Sequence, residues 1–324
     1  MLTVEAKDMY GLAKDWHAAG FFETDNHHQV QRAVQSALSS GRLIAITGPV
    51  GVGKTVFLHR LQDEIAKEGK VIVARSLAVD KARATVPTLI TALFYDLSRD
   101  KTLKIPGQGE KRERELQKLI RRAKKPIALF IDEAHDLHGK TLNGLKRLME
   151  VVEHDGGVLS VVLVGHPKLR NDLRRPVMEE IGYRTDVLTF DGLGEETRDY
   201  LDWLLKECAA EGADPRAMIE ADALDFLADR LTTPLQIAEH LTRAFEEGFR
   251  FGQKPITRDI VAATLSPQFD DLEPRLIRNG YSARSLAEQF HARPAEIRRF
   301  LIGQLDPDRT RELADQMRAA GLPL

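Results

Sequence analysis

The sequence contains little cysteine and no long apolar segment. A single cysteine, Cys208, among 324 residues excludes an internal disulfide and a metal site of paired cysteines, as expected for a reducing compartment. No apolar run approaches the roughly 18 residues that a membrane-spanning helix needs. The first residues are charged and amphipathic and contain no apolar core of a secretion signal. We therefore expect a soluble, cytoplasmic protein with no membrane partner.

The sequence also has almost no net charge. Its 47 Lys and Arg residues nearly balance 49 Asp and Glu residues, which leaves a formal charge of −2. This balance excludes a general attraction to nucleic acid but leaves room for local basic patches. The hydrophobic share of 43% is too high for a disordered chain. The length predicts about two domains.

Short, nearly continuous apolar runs dominate the first half of the chain. They cover residues 43–47, 71–74, 127–131 and 159–164, and such runs are typical of parallel strands that are buried on both faces. Segments with a helical period separate them, so the first half predicts a doubly wound α/β domain. From residue 193 onward apolar residues recur every three or four positions, which predicts a helical domain followed by a shorter helical unit.

The segment after the first apolar run fits the pattern GxxxxGK[ST] of a phosphate-binding loop (P-loop). Its residues are Gly48, Pro49, Val50, Gly51, Val52, Gly53, Lys54 and Thr55. Glycines let successive backbone N–H groups face phosphate oxygens, and the following helix adds a favourable dipole. Lys54 would approach the β- and γ-phosphates, while the Thr55 hydroxyl would bind Mg²⁺. The predicted strand before the loop and the predicted helix after it support this interpretation.

Two acidic residues, Asp132 and Glu133, follow the apolar run at 127–131. A parallel sheet would place both at its carboxyl edge, where ligands bind. Asp132 would hold Mg²⁺, and Glu133 would polarise the water that attacks the γ-phosphate. The two motifs together predict hydrolysis of ATP or GTP. Residues 132–135 form the sequence DEAH, which is also a motif of helicases. A helicase core needs two such α/β domains, however, and the sequence contains only one P-loop. We therefore interpret His135 as an ordinary residue that follows the acids, with a coupling role as the alternative.

The order of these motifs resembles that of an AAA+ ATPase over about residues 20–265. The turn Gly165-His166-Pro167 is similar to one in the branch that contains ExeA-type ATPases and the transposition helpers TniB, IstB, TnsC and MuB. The resemblance implies a P-loop α/β core with a parallel sheet, a helical lid and a small C-terminal helical domain that is similar to a helix-turn-helix. The expected boundaries are 1–42 for an N-terminal helical segment, 43–192 for the ATPase core, 193–268 for the lid and 269–324 for the C-terminal domain.

The resemblance also implies roles for single residues. His166 stands where the family has a polar residue that contacts the γ-phosphate or the attacking water. Arg184 resembles the arginine finger that a neighbouring subunit inserts to stabilise the transition state. Gln236 stands near the lid position where family members often carry an arginine, which implies slow hydrolysis. The alternatives to Arg184 are Arg170, Arg174 and Arg175.

Three segments are candidates for DNA contact. Residues 111–125 hold eight basic and only two acidic residues, and they form either a phosphate-contacting strip or the solvated face of a helix. Residues 281–301 predict two short helices that resemble a helix-turn-helix, in which Arg298 and Arg299 would contact DNA. A protein-docking bundle is the equal alternative for these helices. By resemblance to the transposition helpers, Lys101 and Lys104 are expected to track DNA.

The motifs and the resemblance together predict an ATPase that uses ATP and Mg²⁺ and regulates DNA transposition. With ATP it would self-associate as a homo-oligomeric ring or filament on double-stranded DNA and recruit or activate a transposase. It would then disassemble through slow, DNA-stimulated hydrolysis. Two alternatives stay open: an ExeA-like ATPase for assembly of a secretion or cell-envelope complex, and a nucleotide switch with protein partners only.

Overall fold

The computed structural model describes residues 1–76, 84–98, 105–175, 178–182, 184–265 and 272–324. The strands are β1 (Leu43–Thr47), β2 (Ile72–Arg75), β3 (Ile127–Ile131), β4 (Leu159–Gly165) and β5 (Thr185–Thr189). The helices before the last strand are α1 (Val4–Tyr10), α2 (Asp25–Leu38), α3 (Lys54–Glu68), α4 (Val86–Leu97), α5 (Gly109–Ala123), α6 (Gly139–His154), α7 (Pro167–Leu173) and α8 (Glu179–Gly182). The helices after it are α9 (Thr197–Cys208), α10 (Ala221–Ala228), α11 (Pro234–Arg250), α12 (Arg258–Thr264), α13 (Leu272–Arg278), α14 (Ala283–Gln289), α15 (Pro294–Leu301) and α16 (Pro307–Ala319). Among the residues that the structure describes, no helix has both the length and the apolar character that crossing a bilayer requires.

The strands form one parallel sheet in the order β2-β3-β4-β1-β5. This sheet confirms the predicted α/β P-loop fold. β1 and β3 begin and end at the predicted residues, β2 is shifted by one residue and β4 is one residue longer. β1, β3 and β4 are buried along their whole length, as their apolar runs predict. Because β4 lies between β1 and β3, the three strand ends that carry candidate residues are neighbours.

The apolar runs do not predict β5. This strand contains Thr185, Asp186 and Thr189 and is only partly buried. It forms an edge of the sheet, where its neighbour is β1. An edge strand is accessible to solvent on one side, so it needs no continuous apolar run.

Helices cover both faces of the sheet. One face packs against α4, α5 and α6, with Leu93, Ile120 and Leu145 among the buried side chains. The other face packs against α2 and α3, with Val34 and Phe57 among the buried side chains. With both faces covered, polar functional side chains gather at the strand ends.

Helices α9–α12 belong to a third core apart from the sheet. The first part of the chain joins this core: the ring of Phe245 packs against Tyr10 with centroids 4.6 Å apart and against Trp16 with centroids 5.2 Å apart. In contrast, α2 packs on the sheet. Within residues 1–42, the first part of the segment therefore packs with α9–α12 and the last part packs on the sheet.

Helices α13–α16 enclose a fourth core that contains Tyr281, Ile297 and Met317. The two helices that the sequence predicts within 281–301 are present as α14 and α15. α14 begins after Ser282, whose hydroxyl accepts a backbone N–H of the first turn at 3.1 Å. α15 begins at Pro294, a residue that is favourable at the first helical position. We refer to residues 272–324 as the C-terminal domain.

His27 lies in the first turn of α2 and is surrounded by aromatic rings. Its ring packs against Phe21, Phe57 and Phe190 at centroid distances of 4.9, 5.7 and 4.8 Å. Its Nδ1 atom accepts the backbone N–H of Thr24 at 2.8 Å and so helps to cap the helix. Burial lowers the pKa of His27 from 6.5 to about 4, so the imidazole is neutral in the folded protein at neutral pH.

We expect His27 to make the folded protein less stable in acid. Between pH 6.5 and about 4 the unfolded chain binds a proton at this residue and the folded chain does not, so the free energy of unfolding falls as the pH falls through this window. Gln at position 27 keeps a side-chain acceptor but cannot titrate. The free energy of unfolding of His27→Gln should therefore fall less than that of the wild type as the pH is lowered. Urea unfolding at several pH values measures both. His28→Gln, at an exposed neighbour, is the control. A wild-type pH dependence in His27→Gln would contradict the prediction.

Candidate nucleotide site

The P-loop connects β1 to α3 and lies close to neighbouring backbone. The N–H of Gly48 donates to the carbonyl oxygen of Gly165 at 3.1 Å, and a side chain at position 48 would overlap the carbonyl oxygen of Phe190. Gly51 and Gly53 have φ angles of +81° and +95°, which other residues rarely adopt. The path of the backbone therefore requires glycine at all three loop positions.

Lys54, the first residue of α3, has only 6% of its surface exposed. Its Nζ atom donates to the carbonyl oxygens of Gly48 and Pro49, each at 2.8 Å. Burial lowers the pKa of Lys54 from 10.5 to about 8, an effect that the carboxylates of Glu133 and Asp132 oppose. At pH 7 the ammonium group is therefore charged and lies within the P-loop, as phosphate binding requires.

A hydrogen bond joins the start of α3 to the end of β3. The Thr55 hydroxyl donates to Asp132 Oδ2 at 2.8 Å, and Asp132 Oδ1 accepts the backbone N–H of Glu133 at 2.9 Å. Hydroxyl and carboxylate oxygens are the hard ligands that Mg²⁺ prefers, so this pair fits the metal that the sequence predicts. The structure thus brings together the two motifs, which lie far apart in the sequence.

Two histidine rings lie beside the Glu133 carboxylate. From Glu133 Oε2, His135 Nδ1 is 3.3 Å away and His166 Nε2 is 3.7 Å away, and the two ring centroids are 3.9 Å apart. Burial lowers the pKa of each imidazole to about 4; the Lys168 ammonium also lowers that of His135, and the neighbouring His135 also lowers that of His166. Both rings are therefore neutral at pH 7. The Glu133 side chain is 47% exposed and is open to solvent.

His166 follows β4 directly and so lies between the P-loop and the two acidic residues, the place expected for a residue near the γ-phosphate. Sequence reasoning missed His135, which we interpret from the sequence as an ordinary residue. A short 3-10 turn, Ala134–Asp136, returns the chain towards β4. Gly165 makes room for the ring, since a Cβ there would lie 3.3 Å from His135 Nδ1. A glycine at the end of β4 was the signal that could have found this contact.

The start of α11 contacts the P-loop. The N–H of Leu235 donates to the carbonyl oxygen of Gly51 at 3.2 Å. Gln236 Oε1 accepts the N–H groups of Thr232 and Thr233 at 3.1 and 3.3 Å. At the position where the resemblance implies an arginine, this side chain is therefore engaged in capping the helix.

The C-terminal domain also contacts the P-loop. The carbonyl oxygen of Arg278 accepts the N–H of Val50 at 2.9 Å. Gly280 packs so closely on His166 that a Cβ would lie 2.8 Å from the Cβ of that histidine. No motif predicts these contacts, because they join segments that are far apart in the sequence.

Arg184 lies directly before β5 and therefore at the amino ends of the parallel strands, whereas the P-loop lies at their carboxyl ends. β5 has five residues, which at about 3.3 Å per residue separate Arg184 from the carboxyl edge by about 16 Å. The guanidinium group is 63% exposed and donates to Glu150 at 2.6 Å. It is remote from the nucleotide site of its own chain, so action across a subunit interface stays a prediction. Of the alternatives, Arg175 pairs with Asp172 at 2.7 Å.

The candidate DNA contacts lie in three different parts of the chain. Lys101 and Lys104 fall outside the described residues. Arg298 and Arg299 are exposed on α15. Their contacts with DNA stay predictions. Within 111–125, ion pairs to acidic residues involve Arg114, Lys118 and Arg121.

Comparison with known proteins supports the same fold. Residues 36–173 match the family described as AAA domain. In an alignment of 155 residues that covers 44% of this chain, the sequence is 25% identical to general secretion pathway protein A of Aeromonas hydrophila. The matched segment spans about a quarter of that relative, 26% of its length.

Solved structures are similar over most of the chain. The structure of Cdc6p from Pyrobaculum aerophilum has a TM-score of 0.51 at 17% identity and covers 97% of this chain and 90% of its own. A mutant of RuvB from Thermotoga maritima has a TM-score of 0.48 at 17% identity and covers 86% and 85%. At these identities the likeness to Cdc6p is one of fold. The protein has the α/β P-loop fold of AAA+ ATPases, and residues 36–173 are similar to an AAA domain.

We expect the contact at Gly280 to contribute to the stability of the whole chain. Gly280 has a φ of +88° and lies against His166, whereas Gly303 has a φ of +69° and nothing within 4 Å of its Cβ position. Alanine at either position costs about 1–2 kcal/mol of backbone strain. Gly280→Ala should lower the free energy of unfolding by about 1–3 kcal/mol more than Gly303→Ala, because of the additional clash. Urea unfolding measures both variants, and equal losses would show that close packing at Gly280 contributes nothing.

Proposed function

We propose that this protein hydrolyses ATP at the carboxyl ends of β1, β3 and β4. The observation that best supports the proposal is the meeting of a buried ammonium group, a Thr–Asp oxygen pair and a solvent-accessible carboxylate in one site. These groups are Lys54, Thr55 with Asp132, and Glu133. Phosphate binding, metal binding and activation of water each need one of them.

The proposed reaction assigns a role to each group. Mg²⁺ held by Thr55 and Asp132 would neutralise charge on the phosphates. The Lys54 ammonium group binds the phosphate oxygens. Glu133 accepts a proton from the attacking water, whose oxygen bonds to the γ-phosphorus as the bond to the bridging oxygen of ADP breaks. His166, as a neutral ring, serves as a hydrogen-bond partner of the water or the γ-phosphate.

The proposal assigns assembly of the protein to Arg184 and the slow rate of hydrolysis to Gln236. Arg184, exposed at the opposite edge, would complete the site of a neighbouring subunit, so ATP would promote a ring or filament of identical chains. A guanidinium group supplied in this way stabilises charge in the transition state. Gln236 caps α11 and supplies no positive charge to the phosphates. We therefore propose slow hydrolysis, stimulated by DNA.

The process that we assign to this ATPase is regulation of DNA transposition in the cytoplasm. With ATP the protein would assemble on double-stranded DNA and recruit or activate a transposase, and hydrolysis would release it. The Gly165-His166-Pro167 turn is similar to one in the branch that contains the transposition helpers together with ExeA-type ATPases, which agrees with this role. The C-terminal domain supports it too, since Arg298 and Arg299 are exposed side by side on α15.

Assembly of a secretion or cell-envelope complex is the second candidate role. The match to general secretion pathway protein A favours it. This role predicts hydrolysis that does not depend on DNA. If neither ATP nor a non-hydrolysable analogue promotes binding of the wild-type protein to duplex DNA, the transposition role is excluded.

The variant Glu133→Gln tests the reaction and the role together. The amide has the shape of the carboxylate but accepts a proton poorly, so phosphate release should fall about 100-fold or more while ATP binding is kept. The ATP-bound variant should then stay on labelled duplex DNA longer than the wild type, as measured by fluorescence anisotropy after addition of competitor DNA. Glu153→Gln, at an exposed acid on α6, is the control. Rapid release of Glu133→Gln from DNA would argue that hydrolysis does not drive disassembly.

A double substitution on α15 tests the proposed DNA contact. Arg298→Ala with Arg299→Ala should weaken duplex binding about tenfold or more and reduce the dependence of log K on log salt by about two. The matched control is Arg311→Ala with Arg318→Ala on α16, which removes the same charge from exposed positions in the same domain. Titrations at several salt concentrations measure both. Equal losses in the two double variants would show that α15 is not the contact and that only overall charge matters.

A further inference from the structure

The side chains of Glu133, His135 and His166 converge at the ends of β3 and β4. One oxygen and two ring nitrogens all lie within 4.8 Å of one another. The carboxylate oxygen is 3.3 Å from His135 Nδ1 and 3.7 Å from His166 Nε2. Tetrahedral zinc with bonds of about 2.0–2.2 Å holds its ligand atoms about 3.3–3.6 Å apart. Two of the three separations are therefore close to those of a zinc site before any rearrangement.

Glycine residues shape the space that the two rings occupy. A Cβ at Gly165 would lie 3.1 Å from the His135 backbone nitrogen and 3.3 Å from its Nδ1 atom, and a Cβ at Gly280 would lie 2.8 Å from His166. The first glycine belongs to β4 and the second to the C-terminal domain. Side chains at these positions would displace the rings, so each imidazole is held in place by close packing against a glycine.

The ring nitrogen of His135 that points to the carboxylate is buried. Within the described parts of the chain, His135 Nδ1 has no hydrogen-bond partner of acceptable geometry. A buried polar atom without a partner is costly, and a bound ion is one of its recurrent explanations. This nitrogen is one of the three converging atoms. Its missing partner therefore points to a bound ion by an argument that does not depend on the distances between the three atoms.

We propose that Glu133, His135 and His166 bind a divalent first-row transition-metal ion, and that zinc fits best. Two imidazoles and one carboxylate, with water as the fourth ligand, form a recurrent open zinc site. Imidazole nitrogen selects such ions over Mg²⁺, whereas the oxygen pair of Thr55 and Asp132 suits Mg²⁺. The protein therefore has two adjacent cation sites of different chemistry.

Occupancy of this site would inhibit the proposed hydrolysis. A zinc ion bound to Glu133 takes the carboxylate as a ligand, so the carboxylate no longer accepts a proton from water. Lys54, Thr55 and Asp132 do not belong to the zinc site, so ATP binding would be kept. This consequence rests on the proposed function, but metal binding itself does not.

Cobalt titration of the nucleotide-free, full-length protein tests the binding. We expect one equivalent of Co²⁺ to produce the strong visible absorption of a low-coordinate site, and Zn²⁺ but not a large excess of Mg²⁺ to abolish it. His135→Ala and Glu133→Gln should each weaken Co²⁺ binding at least about tenfold. His154→Ala, at a side chain that is 91% exposed, should bind as the wild type does. Because Glu133→Gln changes an exposed side chain to one of the same size, it keeps the test valid if His135→Ala unfolds.

Two results of this titration would overturn the proposal. One is Co²⁺ binding that is unchanged in both His135→Ala and Glu133→Gln, and the other is displacement of Co²⁺ by Mg²⁺, which would place the ion at Thr55 and Asp132. Phosphate release with excess Mg²⁺ then tests the consequence: zinc should inhibit the wild type strongly and His135→Ala weakly, each relative to its own zinc-free rate. If the wild type hydrolyses no ATP, the proposed function fails while the cobalt titration still decides the metal site.

Discussion

β4 lies between β1 and β3, and the nucleotide site depends on this placement. Each of these strands is buried along its whole length, and none carries a charged side chain. The groups appear where the strands end: the P-loop after β1, two acids after β3 and His166 after β4. An order with further strands between β1 and β3 would leave the same motifs at the same ends of the strands but too far apart to share a ligand.

Burial at this edge sets the charges of the site. The pKa of Lys54 falls to about 8 and those of His135 and His166 fall to about 4, all through loss of solvation. At neutral pH the two rings are neutral, and the ammonium group of Lys54 lies within the P-loop. Lys54 thus supplies positive charge inside the loop, and the rings contribute lone pairs and N–H groups instead of charge. This division gives the edge two chemical characters, one suited to phosphate and one suited to nitrogen-seeking ions.

Much of the fold and the centre of the site could be predicted from the sequence. The continuous apolar runs predict β1 and β3 to the residue, and the P-loop and the Asp132–Glu133 pair are read directly because their residues are consecutive. β5 could not be predicted, because an edge strand lacks a continuous apolar run. The contacts of Leu235, Arg278 and Gly280 depend on packing between distant segments, so no local pattern encodes them, and for His135 the only local signal is the glycine at the end of β4.

The hydrogen bond from Val50 to Arg278 gives the P-loop an internal ligand. Val50 is a loop residue whose N–H is already committed to a carbonyl oxygen of the C-terminal domain. An anion that needs this N–H must compete with that oxygen, so the free energy of anion binding is reduced by the cost of breaking the contact. By linkage, the same amount of free energy loosens the domain when the anion binds. The C-terminal domain and the phosphates of a nucleotide would thus compete for the same hydrogen-bond donor, the N–H of Val50.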